Sequence, residues 1–125
     1  MNEAFFRGYY EAYNSEDQSR LAAFLAEDVV LTSAQGVQRG RDAYLATYRQ
    51  IISAFTDRMT PEDITVDGAK ANVKITDRFV AKMDVPDFLG RGFKKGEGFT
   101  LKLVGSYTVA DGKIATIDIQ LLGME

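Results

Sequence analysis

The chain has 125 residues, of which 46% are hydrophobic and 26% are charged, and its net charge is -3. This length and composition are typical of one globular domain covering residues 1–125. A net negative chain lacks the basic face that nucleic acids and anionic membranes require, so neither is expected as a partner. No apolar run approaches the roughly 18 residues of a membrane span, and the N-terminus lacks a signal-peptide layout, which predicts a cytoplasmic protein.

The sequence contains no cysteine and no histidine. Without thiolates and imidazoles, the chain cannot form disulfides, cysteine nucleophiles, Ser-His-Asp triads or histidine-ligated zinc sites. Carboxylates also do not cluster at the spacing that oxygen-ligated ions need, so no metal and no cofactor are expected. Any acid–base chemistry must therefore use Asp, Glu, Tyr, Lys or water.

Two helices are predicted at the N-terminus. Aromatic residues recur at three- and four-residue spacing from Glu3 to Tyr13, which indicates an amphipathic helix. Ser15 and Gln18 then form a capping-box pattern, which predicts a second helix over Glu16–Ala26. The short joint between the two helices predicts a helical hairpin.

A strand and a third helix follow. The segment from Asp28 to Ser33 is rich in β-branched residues and predicts a short strand, whereas the two glycines in Ala34–Gly40 indicate a loop. A wide apolar stripe predicts the longest helix over Arg41–Phe55. Pro61 is expected to close this helical region.

The rest of the chain changes to the period-two pattern of strands. Hairpin turn signals at Asp67-Gly68 and Asp111-Gly112 separate the predicted strands, which lie near Glu62–Val66, Lys70–Met83, Gly98–Val109 and Lys113–Leu122. The glycine-containing connection Val85–Gly96 is expected to form a mobile flap between strands. The alternatives are a lid, in which Phe88 and Phe93 close over the mouth of a cavity, and a basic loop that binds an anion. Helices followed by an antiparallel meander indicate an α+β domain, with the helices on one face of a curved sheet.

One carboxylate stands out within this pattern. In the strand predicted over Lys70–Met83, Asp77 shares a face with apolar residues that include Ile75 and Phe79. A charged group on an apolar face is costly unless it is paired with a polar or charged partner or remains hydrated. Asp77 therefore indicates either a functional cavity or a structural carboxylate satisfied by neighbouring polar groups.

The order of elements and three motifs resemble the nuclear transport factor 2-like (NTF2-like) superfamily, which includes SnoaL-like cyclases. The motifs are YYEAYNSED at 9–17, FLAED at 24–28 and YTVADGKI at 107–114. The resemblance implies three N-terminal helices packed on a strongly curved, mixed or antiparallel sheet that encloses a conical cavity. It also implies a homodimer through the outer face of the sheet.

The known activities of this superfamily do not transfer residue by residue. In ketosteroid isomerases the resemblance matches the oxyanion tyrosine to Tyr9, but places Ser33 and Gly105 at the two acidic positions. The arginine and aspartate of limonene epoxide hydrolases lie two residues apart on one strand, whereas Asp77 and Arg78 are adjacent and should face opposite sides. The histidine of SnoaL-like cyclases is absent.

The candidate site therefore lies between the helices and the inner face of the sheet. Asp77 is the candidate acid–base residue, and Tyr9 is the candidate hydrogen-bond donor. The residues expected to bind a ligand are Tyr13, Phe24, Ser33, Tyr44, Tyr48, Phe79, Phe88, Leu103, Gly105 and Tyr107. The alternative for the tyrosines is a purely structural role in the core, and Gly105 could leave room for a ligand or mark a bulge.

Two functions remain open from the sequence. The first is a pocket for a small apolar ligand, including cyclic ones, in a binding protein or an enzyme without cofactor of the isomerase, cyclase, dehydratase or epoxide-opening type. The second is a non-catalytic dimeric interaction domain whose own side chains fill the cavity.

Overall fold

The computed structural model describes residues 2–125. In chain order its elements are α1 (Glu3–Asn14), α2 (Gln18–Ala22), β1 (Leu25–Ser33), β2 (Gly36–Arg39), α3 (Arg41–Ala54), β3 (Phe55–Asp67), β4 (Lys70–Ala81), β5 (Val85–Phe88), β6 (Arg91–Phe93), β7 (Gly98–Ala110) and β8 (Lys113–Met124). Within this described part of the chain, no helix is long and apolar enough to cross a membrane.

Six strands form one sheet in the order β2-β1-β8-β7-β4-β3, and β5 and β6 form a separate hairpin. Neighbouring strands of the large sheet are antiparallel except β1 and β8, which are parallel, so the sheet is mixed. Helices α1 and α3 pack against this sheet, which confirms the predicted α+β class. The sheet curls less than the strongly curved cone that the resemblance implies.

Helix α2 is shorter than the predicted span Glu16–Ala26. Asp17 caps it instead of Ser15, because the Asp17 carboxylate accepts hydrogen bonds from two backbone N–H groups of the first turn, at 3.0 and 3.4 Å. The preceding residue, Glu16, has a left-handed φ of 61° and cannot continue a helix. The helix ends early because Leu25 already pairs with β8.

Strand β3 is much longer than the predicted segment Glu62–Val66. The chain leaves α3 and enters β3 directly at Phe55, which has extended backbone angles. Pro61 does not close a helical region, since it lies inside β3 at a bulge. Because β3 is an edge strand, the missing N–H of this proline interrupts no essential sheet pairing.

Two glycine-containing stretches predicted as connections also form strands. Within 34–40, β2 pairs with β1, and the glycines at its ends, Gly36 and Gly40, have φ values of 109° and 94°. Within 85–96, β5 and β6 pair with each other in a short hairpin. Both strand pairs are too short for period-two alternation to distinguish them from loops.

The long central strands agree with the prediction. Alternate residues of β4 are buried, from Ala71 through Asp77 to Ala81, as the period-two pattern requires. Asp111 and Gly112 join β7 to β8 with φ values of 53° and 75°, as expected for a tight hairpin turn. The inner faces of these strands meet an aromatic stripe on the helices, which consists of Phe6, Tyr9, Tyr10 and Tyr13 on α1 and Tyr44 and Tyr48 on α3.

Candidate active site

The first feature of the site is a buried carboxyl group in the middle of β4. Asp77 is 2% exposed and stands between Ile75 and Phe79 on the inner face of the sheet. Its neighbour Arg78 points to the outer face, where Nη1 donates a hydrogen bond to Thr100 Oγ1 at 3.3 Å. The adjacent aspartate and arginine therefore face opposite sides, as strand geometry predicts.

A second buried carboxyl group lies on the neighbouring strand β3. Asp57 is 1% exposed. It pairs with Phe79, while Asp77 pairs with Met59 two residues further along β3. Asp57 and Asp77 are thus diagonal neighbours on one face of an antiparallel pair, and each affects the pKa of the other.

The two carboxyl groups have unequal hydrogen-bond partners. Tyr13 donates its hydroxyl to Asp57 Oδ2 at 2.7 Å. Among the described residues, Oδ1 of Asp57 and Oδ1 of Asp77 are both buried and have no donor. Two ionised carboxylates cannot donate to each other, so one shared proton would satisfy both oxygens.

Burial raises the pKa of both groups. Burial, followed by the hydrogen bond with Asp57 and the charge of Asp57, raises the pKa of Asp77 far above its usual range. Burial also raises the pKa of Asp57, but the hydrogen bonds from Asp77 and Tyr13 and the charge of Arg58 oppose this rise. Because these opposing interactions act on Asp57 and none acts on Asp77, a proton shared by the pair favours Asp77, and Asp57 is the member that is favoured to carry the negative charge.

Tyrosine hydroxyl groups surround the carboxyl pair. Tyr9 and Tyr44 form one hydroxyl–hydroxyl hydrogen bond at 2.6 Å, and Tyr10 and Tyr107 form another at 2.5 Å. Burial raises the pKa of all four, so they stay protonated. Each pair holds two protons and uses one in its mutual bond, which leaves one hydroxyl proton for another acceptor.

The carboxyl pair borders a cavity of about 120 Å³, which Tyr9, Tyr44 and Tyr107 also line. Ten of the residues predicted for the site line it: Tyr9, Tyr13, Ser33, Tyr44, Tyr48, Asp77, Phe79, Phe88, Leu103 and Tyr107. Asp57 lines it as well. Among the described lining residues, only Asp57 and Asp77 belong to the charged residue types, and no lysine or arginine reaches the cavity.

The structure places two of the predicted ligand-binding residues away from the cavity lining. Phe24 packs against α1, with its ring centroid 5.4 Å from that of Phe5 and its ring edge close to Gly8. Gly105 leaves no room for a ligand, because the ring of Tyr107 fills the space where a side chain at position 105 would stand. Both residues therefore serve packing.

Asp57 is the site residue that the sequence reasoning missed. The expectation that Arg41–Phe55 and Pro61 bound a helical region left no strand at this position. Two signals point to it: Phe55, Asp57 and Met59 alternate as Ile75, Asp77 and Phe79 do, and the tripeptide Thr-Asp-Arg occurs in both strands, at 56–58 and 76–78. The repeated tripeptide marks the two positions that the sheet brings together.

Among the described residues, the carboxyl pair is not part of a larger acidic cluster. In residues 2–125, no group of three or more acidic side chains is close enough to hold an ion. A buried pair of carboxyl groups with one proton is instead the arrangement in which one member acts as acid and the other as base.

Several solved structures are similar to this chain over most of its length. A provisionally named polyketide cyclase from Xanthomonas campestris pv. campestris has a TM-score of 0.80 and 24% identity, over 93% of this chain and 86% of that chain. A provisionally named polyketide cyclase from Sinorhizobium meliloti has a TM-score of 0.71 and 25% identity, over 95% of each chain. An LEH-like epoxide hydrolase from M. tuberculosis has a TM-score of 0.76 and 18% identity, over 94% of this chain and 80% of that chain.

No curated protein matches the chain. Residues 6–117 match the family model of the SnoaL-like domain, which covers most of the sequence and, of the helices and strands, leaves out only the first residues of α1 and the part of β8 after Ile117. Similar solved structures include NTF2-like proteins. The chain therefore belongs to the SnoaL-like domain family and has the NTF2-like fold.

Proposed function

We propose that this protein is a cofactor-free acid–base enzyme that acts on a small, uncharged, apolar ring compound bearing a carbonyl group. The single observation that carries this proposal is the buried pair Asp57 and Asp77, which borders an apolar cavity. The names of two similar structures, which refer to polyketide cyclases, agree with a ring-forming or ring-modifying reaction.

The charges of the cavity support an uncharged ligand. Its described lining contains two aspartates and no basic residue, so an anion would meet repulsion without a counter-charge. Most of the remaining lining is aromatic or aliphatic, which favours an apolar ring. The protons of Asp77 and of the Tyr9–Tyr44 pair are hydrogen-bond donors for a carbonyl oxygen.

The two carboxyl groups take different roles in the proposed reaction. The Asp57 carboxylate removes a proton from the carbon next to the carbonyl group, and the electron pair of the broken C–H bond moves onto the carbonyl oxygen. As Asp57 takes up the proton it no longer needs the one shared by Asp77, so Asp77 and Tyr9 donate hydrogen bonds to this oxygen as its charge develops. In an isomerisation Asp57 then returns the proton to another carbon. In a cyclisation the enolate carbon attacks the carbon of a second carbonyl group, and the alkoxide oxygen formed there takes the proton from Asp57.

Proton exchange on a simple ketone tests this proposal without knowledge of the natural substrate. 2-Indanone is an uncharged fused-ring ketone whose α-protons exchange with D₂O, and ¹H NMR follows their loss. We expect the protein to accelerate this exchange and Asp57→Asn to reduce the acceleration by about 100-fold or more. Asp63→Asn is the matched control, because Asp63 is exposed on the same strand.

Two results would refute the proposed chemistry. The first is exchange no faster than with the same concentration of acetate. The second is an equal acceleration by the native protein and by Asp57→Asn, because the carboxylate assigned as base would then contribute nothing.

A non-catalytic dimeric domain is the second candidate, and the end of β8 favours it. Leu122 is 59% exposed and Met124 is 42% exposed, which is unusual for large apolar side chains. Leu122 follows Leu121, which lines the cavity, so a homodimer through the outer face of the sheet would cover Leu122, whereas Met124 pairs with Leu101 of the inner face. Sedimentation of the native chain and of Leu122→Lys tests this interface: a native dimer that the substitution dissociates supports it, and a native monomer excludes it.

A further inference from the structure

The last residue of α1 is bonded to the edge of the sheet close to the carboxyl pair. Asn14 Nδ2 donates to the backbone oxygen of Met59 at 2.8 Å, and Asn14 Oδ1 accepts from the backbone N–H of Met59 at 2.8 Å. Because β3 is an edge strand, this carboxamide pairs with it as a neighbouring strand would. The end of α1 is thereby fixed two residues from Asp57.

The preceding residue, Tyr13, makes the contact with the carboxyl pair. Its hydroxyl donates to Asp57 Oδ2 at 2.7 Å, and its backbone carbonyl accepts from the Tyr48 hydroxyl at 2.6 Å. Tyr13 is therefore held from two sides, by Tyr48 on α3 and by the neighbouring Asn14, which is bonded to β3. A donor held in this way favours the charged form of its acceptor.

We propose that Asn14 is a positioning residue that holds Tyr13 against Asp57 and so selects Asp57 as the charged member of the pair. This inference rests on the proposed function, in which Asp57 is the base. Asn14 acts at a distance, because its two side-chain hydrogen bonds both go to Met59. Asp77 receives no corresponding bond from a tyrosine hydroxyl among the described residues.

The other charged groups near Asp57 do not take over the role of the Tyr13 hydrogen bond. The charge of Glu16 raises the pKa of Asp57 and the charge of Arg58 lowers it, so these two effects act in opposite directions. Both side chains are directed to an ionic cluster outside the cavity, where Glu16 lies 2.9 Å from Lys82 Nζ and 3.6 Å from Arg58 Nη1. Tyr13 remains the hydroxyl donor in direct contact with the carboxylate.

Carboxyl ¹³C NMR titration of the full chain, without any substrate, tests the proposal. Tyr13→Phe should raise the pKa of Asp57 by about one pH unit, since a hydrogen bond to a charged group is lost. Asn14→Ala should raise it in the same direction by roughly half a unit or more. In the Tyr13→Phe background, Asn14→Ala should add no further rise, because Asn14 acts through Tyr13.

Asn72→Ala is the matched control, because it also removes an asparagine side chain with a hydrogen bond, here the one from Ser106 on the outer face. It should leave the pKa of Asp57 unchanged. If Asn14→Ala does not fold, Asn14→Ser retains a polar group that reaches only one of the two backbone atoms of Met59, and a smaller rise is expected.

Two results would overturn the positioning role. A lower free energy of unfolding with an unchanged pKa of Asp57 would make Asn14 purely structural. An equal rise in the presence and absence of the Tyr13 hydroxyl would mean that Asn14 does not act through Tyr13. Neither result depends on catalysis, so failure of this inference is distinguishable from absence of ketone exchange.

Discussion

The ring of Tyr107 lies directly over Gly105, two residues earlier on the same face of β7. A β-carbon at position 105 would stand 2.7 Å from Tyr107 Cε2 and 2.8 Å from its hydroxyl oxygen. This close approach directs the Tyr107 hydroxyl to Tyr10, 2.5 Å away. The absence of a side chain at position 105 is therefore a requirement of the tyrosine arrangement above the sheet.

Gly105→Ala should destabilise the fold by about 1–3 kcal/mol, because the added methyl group overpacks a buried contact. Urea unfolding measures the change. Gly123→Ala is the matched control, since no atom lies within 4 Å of the position of its β-carbon, and it should change the free energy of unfolding by less than about 0.5 kcal/mol. Equal tolerance of both substitutions would show that the Tyr107 ring can move away at no cost.

The hydroxyl groups of Tyr10 and Tyr107 should be coupled in stability. Tyr10→Phe and Tyr107→Phe should each destabilise the fold by about 1 kcal/mol, because each leaves one buried hydroxyl without its partner. The double variant should cost less than the sum of the two, since it removes both polar groups together. Strictly additive losses in urea unfolding would mean that the two hydroxyls do not depend on each other.

The long strands could be predicted from the sequence because each has one buried face. Period-two alternation identifies β4 and the position of Asp77, and the Asp111-Gly112 turn fixes the register of β7 and β8. The short strands β2, β5 and β6 could not be predicted in this way. Their residues are too few to show a period, and their glycines are equally typical of loops.

Asp57, the second carboxyl group of the site, could not be predicted from the sequence for a different physical reason. Asp57 lies where the chain changes from α3 to β3 without a turn, so no glycine or proline marks the boundary. Pro61 occurs six residues after Phe55, the first residue of β3, and is typical of the end of a helix. The edge position and the bulge of β3 nevertheless accommodate it. Asp57 and Asp77 become diagonal neighbours through the register of β3 and β4, and the sequence around either residue does not reveal this register.

Stability should fall as the pH rises above about 4, because of Asp77. In the unfolded chain an aspartate ionises near its usual pKa of 3.8, whereas burial keeps Asp77 protonated to a much higher pH. The folded state therefore binds the additional proton over this range, and the free energy of unfolding decreases with pH by at most about 1.4 kcal/mol per pH unit for one group. Asp77→Asn should flatten this dependence between pH 5 and pH 8, as measured by urea unfolding.

The control for this dependence is an exposed carboxyl group. Asp118 is exposed on β8, so Asp118→Asn should retain the native pH dependence. If Asp77→Asn retains the native slope as well, Asp77 is ionised in the folded protein at neutral pH, and the shared proton does not exist.

The charge of the cavity should exclude anionic ligands. 2-Acetylnaphthalene and 2-naphthoate have the same ring system, but only the second carries a negative charge at pH 7. Fluorescence titration should show that naphthoate binds at least about tenfold more weakly, a difference of about 1.4 kcal/mol. The double variant Asp57→Asn/Asp77→Asn should narrow this gap. Tighter binding of naphthoate by the native protein would disprove an uncharged ligand class.

The most direct measurement is the carboxyl ¹³C NMR titration of the native chain, with the two signals assigned through Asp57→Asn and Asp77→Asn. At pH 7 we expect one protonated carboxyl group, at Asp77, and one ionised group, at Asp57, because burial and mutual repulsion prevent both from ionising. Two ionised carboxylates at pH 7, both titrating near the usual aspartate range, would contradict the shared proton and the acid–base roles derived from it.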